Sequence, residues 1–278
     1  MGHDCAPGSF QASQALQALI TSLGDERRVF EHWEWRRPED LAEHVLTATD
    51  GRAGVCAAPV EPGAEVAWVR WAALQDGMPL RVLLELLATR IDGLRRAHVR
   101  ALWCVDMKGG WLNHALRERG FRRVDEIVTF EHRDGFVCPA VPAGCALMDV
   151  DGAHLDALAV LDVRAFAPQW HYPAFVLRAA RVDLGWFRIA WVDGAPAGYL
   201  CASLQDEHAH VVRLAVDPAH GRRGIGGALL GEALVELAAR GMRRITLNTA
   251  ASLPAGGLYR KLGFRPLRDG ADVLNLTL

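Results

Sequence analysis

The stretch HGRRGIGGALL, His220 to Leu230, sets two arginines among glycines and then opens into an apolar run. If a helix begins near Ile225, its first N–H groups have no intrahelical acceptors and its dipole favours an anion there. Gly224 and Gly226 carry no side chain to hold the backbone away from a phosphate. Arg222 and Arg223 can add charge-assisted contacts. The chemistry these residues predict is binding of a phosphate or pyrophosphate. Two nucleotide patterns fail. Leu229 stands where G-x-G-x-x-G needs its third glycine. Gly221 and Gly226 have the spacing of a P-loop, but Gly227-Ala228 follows instead of Lys-Ser or Lys-Thr.

The elements that must position this loop are legible in the second half. HAHVVRLAV reads as a strand closed by Asp217-Pro218, and Ile225 to Ala239 as the helix. Upstream, CALMDV reads as a strand and GAHLDALAVLDVRAF as a helix. WFRIAWVDGAPAGYLCASL reads as two strands about an Asp193-Gly194 turn. Downstream come the strand RRITLNTA, a short helix in AGGLYRKLGF stopped at Gly263, and the strand ADVLNLTL. Strands and helices in this order predict an α/β or α+β fold built on a mixed sheet flanked by helices.

The first half repeats the plan. A shift of 143 residues lays Val69-Arg70 on Val212-Arg213 and Glu118–Phe121 on Lys261–Phe264, with a helix and a strand between in both copies. HRDGFVCPAVPAGC, His132 to Cys145, holds the glycines and prolines of a linker, so the expected domains are 1–138 and 139–278. In the first copy the glycine loop is replaced by MPLRVL, Met78 to Leu83, and Leu116 falls on Tyr259.

Composition bounds the partners. The 278 residues are 51% hydrophobic, with a net charge of −2. Such a chain affords a sizeable core, and neither half is basic enough to make nucleic acid its main partner. No stretch of 18 apolar residues spans a membrane, and the N-terminus has no secretory pattern, so the expected compartment is the cytoplasm. The six cysteines form no C-x-x-C pair and no zinc spacing, so no metal is expected. Nothing in the sequence reads out an oligomeric state.

The segment VVRLAVDPAHGRRGIGGALL, followed by GLYRKLGF, resembles the GNAT acyltransferases (Gcn5-related N-acetyltransferases). That family has a strand ending in an L-A-V-like triplet, a [Q/R]-x-x-G-x-[G/A] loop opening a helix, and a later L-Y-x-x-x-G-F. The resemblance covers residues from about 145 to 278. With the repeat, it implies two tandem GNAT-like domains, the first degenerate and not binding CoA. That first domain would give structural support and a wall of the acceptor site. The resemblance implies acetyl-CoA as cosubstrate and transfer of its acetyl group to a primary amine, on a small molecule, peptide or protein. The loop from Gly221 to Gly226, with Arg222, Arg223, Gly224, Ile225 and Gly227, would hold the pyrophosphate. Leu214, Ala215 and Val216 would pair with the pantetheine arm, and the Leu214 N–H would polarise the thioester carbonyl. A preorganised donor there is worth about 2.7–4 kcal/mol. Tyr259 would protonate the departing thiolate.

His210 occupies the strand position where family members often place a glutamate base, and its ordinary pKa of about 6.5 suits that work. His208 shares its strand face, while Glu207 and Asp206 could anchor a cationic acceptor. The aromatic stretch AFAPQWHYPAF places Trp170, His171 and Tyr172 as an acceptor lid, or as a loop pinned by its own rings. EHWEW, Glu31 to Trp35, is an edge strand or a loop facing the cleft. Two departures stand out. Gly221 replaces the usual Gln or Arg, and Ser252 stands where an asparagine often meets the cofactor. The rival readings are a non-catalytic acyl-CoA-binding module, and an acyltransferase using another acyl group or acceptor.

Overall fold

The computed structural model describes residues 28–31, 38–133 and 139–278. Most of EHWEW and part of the linker lie outside these residues. The chain forms two compact units, Met1–Asp125 with Ala271–Leu278, and Glu126–Gly270. The expected boundary at 138/139 follows the proline-rich linker, but strand pairing divides the chain elsewhere. The later residues of β6 pair within the second unit, and the last residues of β12 within the first.

The first unit begins with β1 (Arg28–Glu31), β2 (Val45–Thr47), β3 (Ala53–Pro59) and β4 (Val66–Leu74). Helix α1 (Leu80–Arg96), β5 (Ala101–Met107) and α2 (Trp111–Glu118) follow, and β6 (Arg122–His132) starts here. Its sheet runs β2-β3-β4-β5-β12, with β1 also on β4. Helix α1 forms because Leu83, Leu84, Leu87, Ile91 and Leu94 recur at helical spacing and bury one stripe. Four of them join Val55, Val69, Leu102 and Leu116 in the core of this unit.

The second unit holds β7 (Cys145–Asp149), α3 (Leu155–Ala165), α4 (Ala174–Asp183), β8 (Trp186–Val192), β9 (Ala195–Gln205) and β10 (His208–Val216). Then come α5 (Ile225–Ala239), β11 (Arg244–Ala250), α6 (Gly256–Lys261) and the start of β12 (Arg265–Thr277). Its sheet runs β6-β11-β10-β9-β8-β7, antiparallel except for the parallel pair β10–β11. The Asp193-Gly194 hairpin has positive φ at both residues, 51° and 78°, as its tight turn demands. Helix α5 packs Ile225, Leu229, Leu230, Leu234 and Leu237 against Ala197, Leu200, Val211 and Leu247 on one sheet face. Tyr199 points to the other face, where its hydroxyl meets Asp162 of α3. Helix α4, within the second unit, was not anticipated.

The repeat is real in the backbone. β5 and β11 start and end 143 residues apart, and β6 and β12 start 143 apart. One expected match moves. Each copy carries a bulge on the strand before its helix, Arg70 in β4 and Val212 in β10. Those bulges, and the ends of both strands, are 142 apart. Arg70 therefore corresponds to Val212, and the Val69-Arg70 match to Val212-Arg213 is displaced by one residue. Similar alternating sequences can slip by one without a visible mismatch, whereas a bulge fixes the register.

Candidate active site

The bulge at Val212 shapes the site. Before it, β10 pairs with β11 from His208↔Arg244 to Val211↔Leu247. Beyond it the parallel pairing stops. Leu214, Ala215 and Val216 keep β9 as partner through Leu200, Tyr199 and Gly198, while β11 runs on to Ala250 beside β6. Among the described residues, the β11-facing edge of Leu214–Val216 has no strand beside it. Unsatisfied backbone edges recruit an extended partner.

The bulge also reverses the alternation of side chains. Ala209 and Val211 face α5, and after Val212 it is Leu214 and Val216 that pack on the same core. Arg213 is thereby turned to the α3 face. Its Nε and Nη2 donate to the two oxygens of Asp162 at 2.9 and 2.7 Å, and Nη2 donates to the Trp170 carbonyl at 2.6 Å. The guanidinium lies 3.5 Å from the Phe166 ring centre and 4.0 Å from that of Tyr172. Asp162 is fully buried, and also accepts from the Tyr199 hydroxyl and the Tyr172 N–H. Burial pulls the Arg213 pKa down, but the Asp162 carboxylate more than offsets this and raises it. His171 closes the loop on itself, its Nε2 bonded with the Phe166 carbonyl at 2.9 Å.

Below the parted strands sits the loop before α5. Asp217 caps a short turn through the Ala219 N–H, and Arg164 pairs with its carboxylate at 2.6 Å. The chain then passes through left-handed conformations at Arg222 (φ 60°) and Gly224 (φ 85°). The first helical bond recorded from the cap runs from the Ala228 N–H to the Gly224 carbonyl, and no side chain caps the helix. The N–H groups of Ile225, Gly226 and Gly227 are therefore left by the helix itself. Arg222 and Arg223 are exposed beside them, Arg223 bonded with His220 Nδ1 at 3.0 Å. Gly226 also serves packing, since a Cβ there would stand 3.3 Å from Val216 Cγ2.

Tyr259 lies on α6, 7% exposed, its ring 5.6 Å from that of Phe130. Burial raises its pKa, and a hydrogen bond with the Thr249 side chain of β11 opposes the rise. The phenol thus keeps its proton at neutral pH and is tied to the far strand of the parted pair. Ser252 is exposed in the turn after β11.

His210 is part-buried on the face opposite α5, its Nδ1 2.8 Å from Thr246 Oγ1. Burial, reinforced by His208, lowers its pKa to about 4, below the value assumed from the sequence. His208 reaches the same hydroxyl with Nε2, also at 2.8 Å. Glu207 is not brought to the aromatic loop. It sits in the exposed turn six residues before Arg213, roughly 20 Å along the strand. Its carboxylate is 3.3 Å from Arg243.

The structure therefore gathers Leu214–Val216, the glycine loop and Tyr259 around one opening, and Trp170–Tyr172 on the Arg213 hub. Sequence reasoning passed over Arg213, Asp162, Thr246 and Thr249. A signal existed for Arg213, which stands among apolar residues in the strand HAHVVRLAV, whereas Asp162 shares its helix with Asp156 and Arg164.

In the first unit the corresponding place is filled. β4 pairs with β5 only from Val66↔Ala101 to Trp68↔Trp103. Beyond its bulge, Trp71–Leu74 pair with β3 on one side and with β1 on the other. Pro79 stands at the start of α1, and Leu116 is buried in apolar core.

Residues 155–264 match the acetyltransferase (GNAT) family model. Over 98% of its length the chain superposes on a GCN5-related N-acetyltransferase from Sphaerobacter thermophilus, with TM-score 0.61, 17% identity and 94% of that chain covered. It superposes equally widely on a tandem GNAT protein from the clavulanic acid biosynthesis pathway, with TM-score 0.58, 16% identity and 97% of that chain covered. Residues 155–264 thus resemble the GNAT family, and the whole chain shares its fold with these two solved structures. Among curated proteins, a mycothiol acetyltransferase of Clavibacter michiganensis subsp. michiganensis is 35% identical over 148 residues, 49% of this chain and 47% of that protein. One of Clavibacter sepedonicus is 34% identical over the same length. The chain spans about half the length of these relatives.

Proposed function

We propose that the second unit transfers an acetyl group from acetyl-CoA to a primary amine. The observation that carries this reading is the parting of β10 from β11 beyond Val211 and Leu247. It leaves one free strand edge, with uncapped helix N–H groups at its foot and a protonated phenol on α6 tied to the far strand through Thr249. An amide-bearing arm fits the edge, a pyrophosphate fits the α5 N-terminus, and Gly221 is offset by backbone donors and Arg222. When bound, acetyl-CoA supplies an activated thioester.

The chain's own residues do the rest. Leu214 offers its N–H to the charge that develops on the carbonyl oxygen. Tyr259 holds a proton at Oη for the departing thiolate. His210, neutral at pH 7, accepts the proton of the attacking amine at Nε2. Trp170, His171 and Tyr172 line the acceptor side in the conformation set by Arg213. The relatives named as mycothiol acetyltransferases support acetyl as the group moved. In the first unit, β1 takes the place of the arm, so that unit binds no CoA.

A screen of amine acceptors with acetyl-CoA, read by thiol release, tests the activity. Transfer to at least one amine supports it. Acetyl-CoA binding without transfer to any amine turns the reading to a binding module.

A further inference from the structure

We infer that Thr246 joins His210 and His208 into one proton relay, in which a proton accepted at His210 Nε2 leaves at His208 Nδ1. This rests on the acetyltransferase reading for its use, but the geometry stands by itself. His210 and Thr246 are register partners on adjacent strands, and the Thr246 hydroxyl lies 2.8 Å from His210 Nδ1 and 2.8 Å from His208 Nε2. Thr246 is buried, 4% exposed. One hydroxyl has one hydrogen, so it donates to one ring and accepts from the other. The two neutral imidazoles therefore share a tautomer. Either both carry hydrogen on Nδ1, which leaves His210 Nε2 bare, or both carry it on Nε2.

The transfer balances. His210 Nε2 takes a proton from the amine, and its Nδ1–H passes to Thr246 Oγ1. The Thr246 hydrogen passes to His208 Nε2, and His208 releases the hydrogen on Nδ1 to water. One proton enters, one leaves, and both rings end neutral in the other tautomer. In the acceptor-free site, His210 Nε2 and His208 Nδ1 have no protein hydrogen bond among the described residues, so exchange with water resets the pair.

The surroundings give the relay a direction. His210 is the more buried ring and His208 the outer one. Arg244, the register partner of His208, opposes a lasting charge there, while Glu131 is engaged by Arg133 and Arg244. A part-buried base with so little affinity for a proton needs somewhere to send it, and His208 provides that place.

The test is nitrogen-15 NMR of the histidine rings in the full chain at pH 7, with Thr246→Val and Thr246→Ser beside it. The expected result is one shared tautomer for His208 and His210 in the wild type and in Thr246→Ser, and independent tautomers in Thr246→Val. Opposite tautomers in the wild type overturn the relay, as does a Thr246→Val spectrum with the pair unchanged. For whichever amine the screen turns over, Thr246→Val should lower kcat about tenfold to a hundredfold near pH 7, with serine restoring it. Wild-type rates in Thr246→Val overturn the relay while leaving the acetyltransferase reading intact. Failure of the wild type on every amine strikes that reading, and the ring tautomers still decide the coupling.

Discussion

Replacing Arg213 by methionine removes the hub that ties the aromatic loop to β10. The change leaves Asp162 fully buried, with the Tyr199 hydroxyl and Tyr172 N–H as its remaining donors among the described residues. It also removes two charge-assisted bonds, a bond to the Trp170 carbonyl and two ring contacts. Breaking a buried pair from one side costs about 3–5 kcal/mol, because the surviving charge stays buried. For a unit of this size that lowers Tm by roughly 10–15 °C. Lysine should not rescue, since it offers neither the planar fork nor the stacking surface. Arg213→Met with Asp162→Leu should be milder than Arg213→Met alone, because no charge is left behind. Thermal unfolding by circular dichroism measures the loss, and limited proteolysis between Phe166 and Tyr172 reports release of the loop. A loss below about 1 kcal/mol, or a double variant no better than the single one, would show that Arg213 and Asp162 are not such a hub.

Other consequences follow from the same geometry. Tyr259→Phe should lower turnover about a hundredfold or more while acetyl-CoA affinity, measured by calorimetry, changes little. His210 binds its proton at about pH 4 in the folded chain and at the ordinary 6.5 unfolded. Its cost is absent above pH 6.5, grows as pH falls to 4, and levels at about 3 kcal/mol. His210→Gln should therefore flatten the acid side of a stability–pH curve measured by urea unfolding. Gly224→Ala forces a Cβ into φ 85° and should cost about 1–2 kcal/mol in the same assay.

Much of the second unit was legible because its signals are local. The Ile225–Ala239 helix, the Asp193-Gly194 hairpin and the left-handed Gly263 each announce themselves within a few residues. The opening between β10 and β11 was legible only through resemblance, because a bulge leaves no mark in a six-residue string such as VVRLAV. Non-local pairings were hidden too. Arg213 and Asp162 are 51 residues apart, and nothing in either segment names the other. The low pKa of His210 was invisible for the same reason, since burial belongs to the folded sheet. The filled strand edge in the first unit depends on β1 pairing with β4 across some forty residues, which Pro79 and Leu116 gave no hint of.

The proposed acetyl-CoA site is one strand edge and one helix start, both in the second unit. Amide chemical shifts recorded while acetyl-CoA is titrated into the full chain report on both elements at once. Saturable shifts are expected at Leu214–Val216 and Ile225–Gly227, with one equivalent bound per chain and unmoved amides at Trp71–Leu74 and Leu80–Val82. Shifts at the first-unit amides, or none at Leu214 and Gly226 under saturation, would rule this site out.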